Sequence, residues 1–147
     1  FDNKGVIKNF GTNAKMTEMH AIMGILNLKN LKKILSERKR QYLLYLNYLK
    51  NNPSISFQNF NKDKYNYSYM PIIVKNNKRL NQLIKLLKKN NYFPRRYFYP
   101  SLNKIKKLGV KKRFKNSEYL SERILCLPLY YGLEDHHISK ICKLING

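Results

Sequence analysis

The chain reads as an α/β domain in which a small, mostly antiparallel sheet is covered by helices, with one long helix leading into it. Three observations predict this. Apolar residues recur at helical spacing in three long stretches. Shorter runs rich in β-branched and aromatic residues fall between and after them, bounded by Asn, Pro and Gly. At 147 residues and 43% apolar content, the chain is long enough and greasy enough for one real core, and it is not a disordered tail.

Taken in order, residues 1–16 carry Gly5 and Gly11 and read as a loop or short strand leading to a turn. Thr17 is placed to cap a helix, with Glu18 at its positive end. That helix is predicted over 17–52. From Met19 to Leu28 it is apolar on nearly every side, which predicts burial between layers. The apolar stripe then narrows to Leu28, Leu31, Ile34/Leu35, Tyr42, Tyr45/Leu46 and Leu49, with Lys29, Lys32, Lys33, Lys39 and Arg40 mainly opposite. Asn51-Asn52-Pro53 ends the helix.

Residues 54–64 are polar and irregular. A strand is predicted over 65–74, and Pro71 inside it argues for an edge position or a bulge. A second helix spans 78–91, with Leu80, Leu83, Ile84, Leu86 and Leu87 inward. A second strand covers 92–99, and 101–116 is a basic loop with room for one helical turn. Asn116-Ser117-Glu118 caps a short helix through Glu122, and a third strand follows over 124–129. A final helix over 134–145 buries Ile138, Ile141, Cys142 and Ile145.

The charge of +22, from 30 basic against 8 acidic residues, has two readings. One is a nucleic-acid-binding module without enzymatic activity, with Tyr and Phe interleaved among basic residues over 92–99 as stacking platforms. The other is genome composition, since Lys and Asn abound together and Arg, the usual reader of phosphate and guanine, supplies only seven of the thirty. No apolar run approaches the roughly 18 residues that span a membrane, and no membrane partner is expected. Cys126 and Cys142 make no disulfide framework and read as buried thiols of a cytoplasmic protein. His136 and His137 are adjacent on a helix, should point apart, and form no metal site.

Three segments carry chemistry. Gly11-Thr12-Asn13-Ala14-Lys15-Met16-Thr17-Glu18-Met19-His20-Ala21-Ile22-Met23-Gly24 is a polar, glycine-led loop running straight into an apolar helix. Arg95-Arg96-Tyr97-Phe98-Tyr99-Pro100-Ser101-Leu102 pairs guanidinium groups with aromatic rings, which suits a sugar diphosphate through bidentate contacts and stacking. Ser121-Glu122-Arg123-Ile124-Leu125-Cys126-Leu127-Pro128-Leu129 reads as a buried strand end that positions the last helix. In this order the three resemble segments of the DegT/DnrJ/EryC1/StrS family, the pyridoxal phosphate (PLP) aminotransferases acting on nucleotide-linked keto sugars.

The resemblance implies the C-terminal small domain of a fold-type I PLP enzyme over 17–147, with 1–16 coming from the large domain and dimer interface. It also implies that the Schiff-base lysine and the pyridine-facing aspartate lie upstream, so that the piece alone is not a catalyst; a start at Phe1 agrees with that. By resemblance, two subunits of a homodimer share each active site. Gly11 lets the backbone approach the PLP phosphate, Asn13 donates its amide to a phosphate oxygen, and Lys15 adds positive charge. Arg95, Arg96, Tyr97 and Tyr99 are the candidate substrate-binding residues. The implied substrate is a dTDP-linked 4-keto or 3-keto-6-deoxyhexose, the implied amino donor is glutamate, and the product feeds a surface polysaccharide. Many members show Pro-Leu-His where this chain has Pro100-Ser101-Leu102, so no histidine role carries over. Without the resemblance, Asn13 reads as a cap for Met16 or Thr17, and Arg95-Arg96 as snorkelling cations on an amphipathic strand. Relatives that dehydrate their sugar, or aminate an inositol-type ketone, are further readings.

Overall fold

The structure is a computed structural model, and it describes residues 14–61 and 64–147. The elements are α1 (Glu18–Leu49), β1 (Ile55–Phe57), β2 (Met70–Val74), α2 (Asn77–Lys89), two 3-10 turns (Leu102–Lys104 and Lys106–Leu108), α3 (Lys115–Ser121), β3 (Ile124–Leu127) and α4 (Asp135–Asn146). The sheet has the order β1-β2-β3 and both pairings are antiparallel, in line with the expected α/β class. Compact units divide at Lys32/Lys33, inside α1.

In the first unit, Thr17 caps α1 as expected: its hydroxyl accepts from the His20 backbone N–H at 3.3 Å. The burial expected from Met19 to Leu28 is not found. Met19, Ile22, Met23, Ile25, Leu26 and Leu28 are all exposed, Met19 and Leu28 by about 70%. A helix that is apolar all round needs a layer on each side, and the described residues supply none there.

In the second unit, Lys33–Gly147, alternation along β2 puts Met70, Ile72 and Val74 on one face, all fully buried. Opposite them on β3 stand Leu127, across from Met70, and Leu125, across from Ile72. Leu80, Leu83 and Leu87 of α2, Ile138, Ile141 and Ile145 of α4, and Tyr42, Tyr45 and Leu49 of α1 complete one core cluster. Burying each such side chain contributes roughly 1.5–3 kcal/mol. Leu86, expected inward, is on the exposed side of α2.

Pro71 departs from its expected edge place, because β2 is the central strand. The hydrogen-bonding pattern explains why it is tolerated. Cys126, its partner on β3, spends its N–H and C=O on Arg95, at 2.8 and 3.0 Å. Pro71 and Cys126 are therefore a non-hydrogen-bonded pair. The N–H that proline lacks would point to the β1 side, one residue past the end of the β1 register at Ile72.

Three strands were expected and three are found, but not the same three. The 92–99 segment forms only an isolated bridge, Arg95 to Cys126. Pro94 and Pro100 lack the N–H donors of a ladder. Ile55–Phe57 takes the third place instead. The 65–74 strand shortens to Met70–Val74, since Tyr67 adopts φ +49° and leaves extended geometry. Tyr42, Phe60, Tyr65 and Tyr67 form an aromatic cluster there, with Phe60 stacked on Tyr65 at 3.9 Å between centroids. Helix α2 starts at an Asn76 cap, whose side chain accepts from the Arg79 N–H at 2.9 Å. It ends in a Schellman motif: Tyr92 N–H to Leu87 C=O and Asn91 N–H to Lys88 C=O, with Asn91 left-handed at φ +63°.

Helix α3 begins at Lys115, not at the expected Asn116–Glu118 cap. Glu118 lies inside it and reaches back to the Phe114 N–H at 3.1 Å. Cys126 and Cys142 are free and buried, as expected, and burial pushes their thiols up to about 11 and about 12. The His136 and His137 rings do not point apart; their centroids lie 3.8 Å from each other. His136 is paired with Glu134 and His137 with the Tyr92 hydroxyl.

Candidate functional site

The bridge to Cys126 fixes Arg95 as extended backbone lying against β3. Side chains of an extended segment alternate between faces, so Arg95 and Tyr97 fall on one side and Arg96 on the other. On the first side, the Arg95 guanidinium donates to the Tyr97 hydroxyl at 2.8 Å, which raises the Arg95 pKa above its ordinary value. Tyr97 meets Tyr69 edge to face, with centroids 5.2 Å apart. Together with Phe93, Pro128 and Tyr130, these residues line a cleft of about 360 Å³, and Cys126 contributes to its lining. Its chemistry is one exposed cation fork, three phenols and aromatic faces.

On the other side, Arg96 donates to the Ser121 carbonyl at 3.1 Å and lies 3.8 Å over the Tyr99 ring. The four expected substrate residues thus separate into two pairs. Arg95 and Tyr97 line the cleft. Arg96 and Tyr99 clamp the chain to the end of α3.

The cleft wall is braced from α1. The Tyr45 hydroxyl, fully buried, donates to the Pro128 carbonyl at 2.9 Å. Gln41 Nε2 donates to the Leu133 carbonyl at 3.0 Å. Arg40 holds Asp135 through two contacts of 2.8 and 2.7 Å while also gripping Glu37. Leu127-Pro128-Leu129 therefore does form a strand end that leads to the last helix.

Sequence reasoning gave Glu118 only a capping role. It is nearly buried and accepts from Asn103 at 2.9 Å, Arg113 at 2.9 Å and the Phe114 N–H, with Lys104 at 3.2 Å. The Arg113 and Asn103 donors lower its carboxyl to about 2. The available signal was an acid, one of only eight, flanked by a dense cationic run.

Of the expected phosphate-binding residues, Gly11 and Asn13 lie outside the described residues, and Lys15 is exposed just ahead of α1. Among the described residues, none that lines the cleft is a lysine or a carboxylate. Among the described residues no group of His, Cys, Asp or Glu could hold a metal ion, and no helix is long and apolar enough to cross a membrane.

A model of the DegT/DnrJ/EryC1/StrS aminotransferase family matches residues 2–146. The chain belongs to this family. A curated relative, the dTDP-4-amino-4,6-dideoxy-D-glucose transaminase of Escherichia coli, is 35% identical over 146 residues, covering 93% of this chain and 39% of its own length. The chain thus spans about two fifths of that relative. DesI, solved in the presence of its TDP-sugar product, superposes with a TM-score of 0.86 at 23% identity, over 99% of this chain and 39% of that one. The Escherichia coli GDP-4-keto-6-deoxy-D-mannose-3-dehydratase, solved with bound hydrated PLP, superposes with a TM-score of 0.83 at 19% identity, over 98% of this chain and 39% of that one. These likenesses establish the fold as that of the C-terminal part of the family's enzymes, whose cofactor is pyridoxal phosphate.

Proposed function

We propose that this chain is the C-terminal part of a PLP-dependent aminotransferase that converts a nucleotide-linked keto sugar to the amino sugar. The observation that carries this is the Arg95–Tyr97 cleft, read beside the family match and the E. coli transaminase relative. A guanidinium already oriented by a phenol suits an anionic diphosphate, and the Tyr69 and Tyr97 rings suit a base or sugar face. The substrate is a dTDP-linked 4-keto or 3-keto-6-deoxyhexose, the amino donor is glutamate, and the product serves a surface polysaccharide. The enzyme is a cytoplasmic homodimer whose active sites are shared between subunits.

PLP supplies the electron sink for moving the amino group. The described residues of the cleft include neither the amine nor the carboxylate that the ring needs, and no step through the cofactor falls to them. Their work is to bind and orient the sugar nucleotide. Arg95 holds the diphosphate, Tyr97 keeps Arg95 in place, and Arg96 with Tyr99 fixes the backbone from which both project. Gly11, Asn13 and Lys15 contribute to the phosphate site of the partner subunit.

The test uses the full-length enzyme. Arg95→Ala raises KM for the nucleotide sugar at least tenfold while PLP content stays unchanged, and Arg95→Lys recovers part of the loss. Asn13→Ala weakens PLP retention on dialysis more than it lowers Tm. An unaltered KM in Arg95→Ala removes the cleft from substrate binding, and unaltered retention in Asn13→Ala removes the phosphate role.

A further inference from the structure

Seven of the twelve residues from 104 to 115 are cationic and none is acidic, whereas the other 135 positions hold 23 cations. Genome composition spreads lysine over the whole chain and does not account for this local excess. The segment is also ordered by specific contacts. Ser101 bonds Asn103 at 2.6 Å and Ser117 at 2.7 Å, and Glu118 fastens Asn103, Lys104, Arg113 and the Phe114 N–H. Gly109, left-handed at φ +61°, turns the chain back after the second 3-10 turn. Lys106, Val110, Lys111 and Lys112 consequently rim one shallow hollow of about 430 Å³.

Among the described residues, the cations that Glu118 pairs with are Lys104 and Arg113. Lys106, Lys107, Lys111, Lys112 and Lys115 have no acidic partner among the described residues, and all are exposed. Interleaved with them are Leu102 at 64% exposure, Leu108 at 55%, Val110 at 42% and Phe114 at 46%. A surface built to hold a soluble anion has no use for four exposed apolar side chains. A single strand of nucleic acid would want several stacking rings, and this loop offers Phe114 alone. Cations at headgroup level with short apolar side chains beside them match the boundary of an anionic bilayer.

We propose that the 102–115 loop is a peripheral docking surface for an anionic lipid membrane. The chain spans no bilayer through this loop; it lies on one, with the lysines facing the headgroups and Leu108, Val110 and Phe114 inserted just below them. This revises the expectation of no membrane partner and is independent of the proposed reaction.

The test is sedimentation of the full-length protein with vesicles of 30% phosphatidylglycerol and 70% phosphatidylcholine. The protein binds these and not pure phosphatidylcholine vesicles. The quadruple variant K106E/K107E/K111E/K112E lowers partitioning by about a hundredfold or more. The quadruple variant K78E/K85E/K88E/K89E changes net charge equally on exposed positions of α2, and lowers partitioning far less. The triple variant L108S/V110S/F114S weakens binding at unchanged charge. Circular dichroism confirms that each variant is folded. Equal loss in the two charge-reversed variants, no effect of the serine variant, or equal binding to neutral vesicles overturns the proposal. So does tighter binding to a single-stranded oligonucleotide at the same salt.

Discussion

Two tyrosines on neighbouring turns of α1 offer an internal comparison. Tyr42 and Tyr45 are both essentially fully buried. The Tyr45 hydroxyl donates to the Pro128 carbonyl at 2.9 Å, whereas the Tyr42 hydroxyl has no hydrogen-bond partner among the described residues. Tyr45→Phe therefore removes a bond and orphans a part-buried acceptor, at about 1–2 kcal/mol. Tyr42→Phe removes a hydroxyl whose desolvation nothing offsets, so it is neutral or stabilising by up to about 1 kcal/mol. The ring contacts of Tyr42 with Phe60, Tyr65 and Tyr67 are kept in the phenylalanine variant. The two variants thus differ by about 2 kcal/mol although each loses one oxygen. With a urea m-value of about 2 kcal/mol/M, their midpoints are separated by about 1 M. Urea unfolding followed by far-UV circular dichroism measures this directly. Coincident midpoints, or Tyr42→Phe as the less stable of the two, would falsify the account of how the cleft wall is braced.

Further outcomes are expected. The carboxyl of Glu118 sits at about 2 in the folded chain against an ordinary 4.5. Its pKa is depressed, so its stabilisation is complete above 4.5 and drains as pH falls toward 2; amide exchange over 101–115 should accelerate through that window, and in Glu118→Gln the dependence should vanish. A Phe114 amide shift titrating at the ordinary 4.5 would contradict this. Both thiols are buried and pushed up, to about 11 and about 12; a disulfide reagent at pH 8 should label neither in the native chain and both in denaturant, and fast native labelling would refute the placement. Ile141→Ala, at a fully buried position on α4, should cost about 2–5 kcal/mol, while Leu28→Ala on the exposed part of α1 should cost under about 1 kcal/mol in this chain. Thermal unfolding of the pair decides, and equal losses would mean that the α1 face is covered.

Helix α2 and helix α4 were legible because a single apolar stripe faces a single layer: Leu80, Leu83 and Leu87 in one, Ile138, Ile141 and Ile145 in the other. β3 was legible as a short, wholly apolar run. What failed depended on pairing at a distance. Ile55–Phe57 is three residues long, with no pattern of its own, and exists because Val74, Ile73 and Ile72 accept it as a neighbour. The 92–99 segment has the composition of a strand, but only Arg95 finds a partner. In the site, Arg95 and Tyr97 could be picked by residue type, and their separation from Arg96 follows from alternation once one bridge is known. Glu118 could not be picked as a hub, because its four partners come from a loop whose fold the sequence pattern does not reveal.

The exposed start of α1 carries one more consequence. The four methionines divide three to one: Met16, Met19 and Met23 are exposed by 74%, 71% and 56%, and Met70 is sealed in the core. Mild peroxide converts accessible thioethers to sulfoxides and spares enclosed ones. The first three therefore act as a built-in footprint, Met16 just ahead of α1 and Met19 and Met23 one turn apart on it, with Met70 as the unreactive standard within the same molecule. Whatever covers that stretch in the assembled protein will be readable, position by position, as sulfur that peroxide no longer reaches.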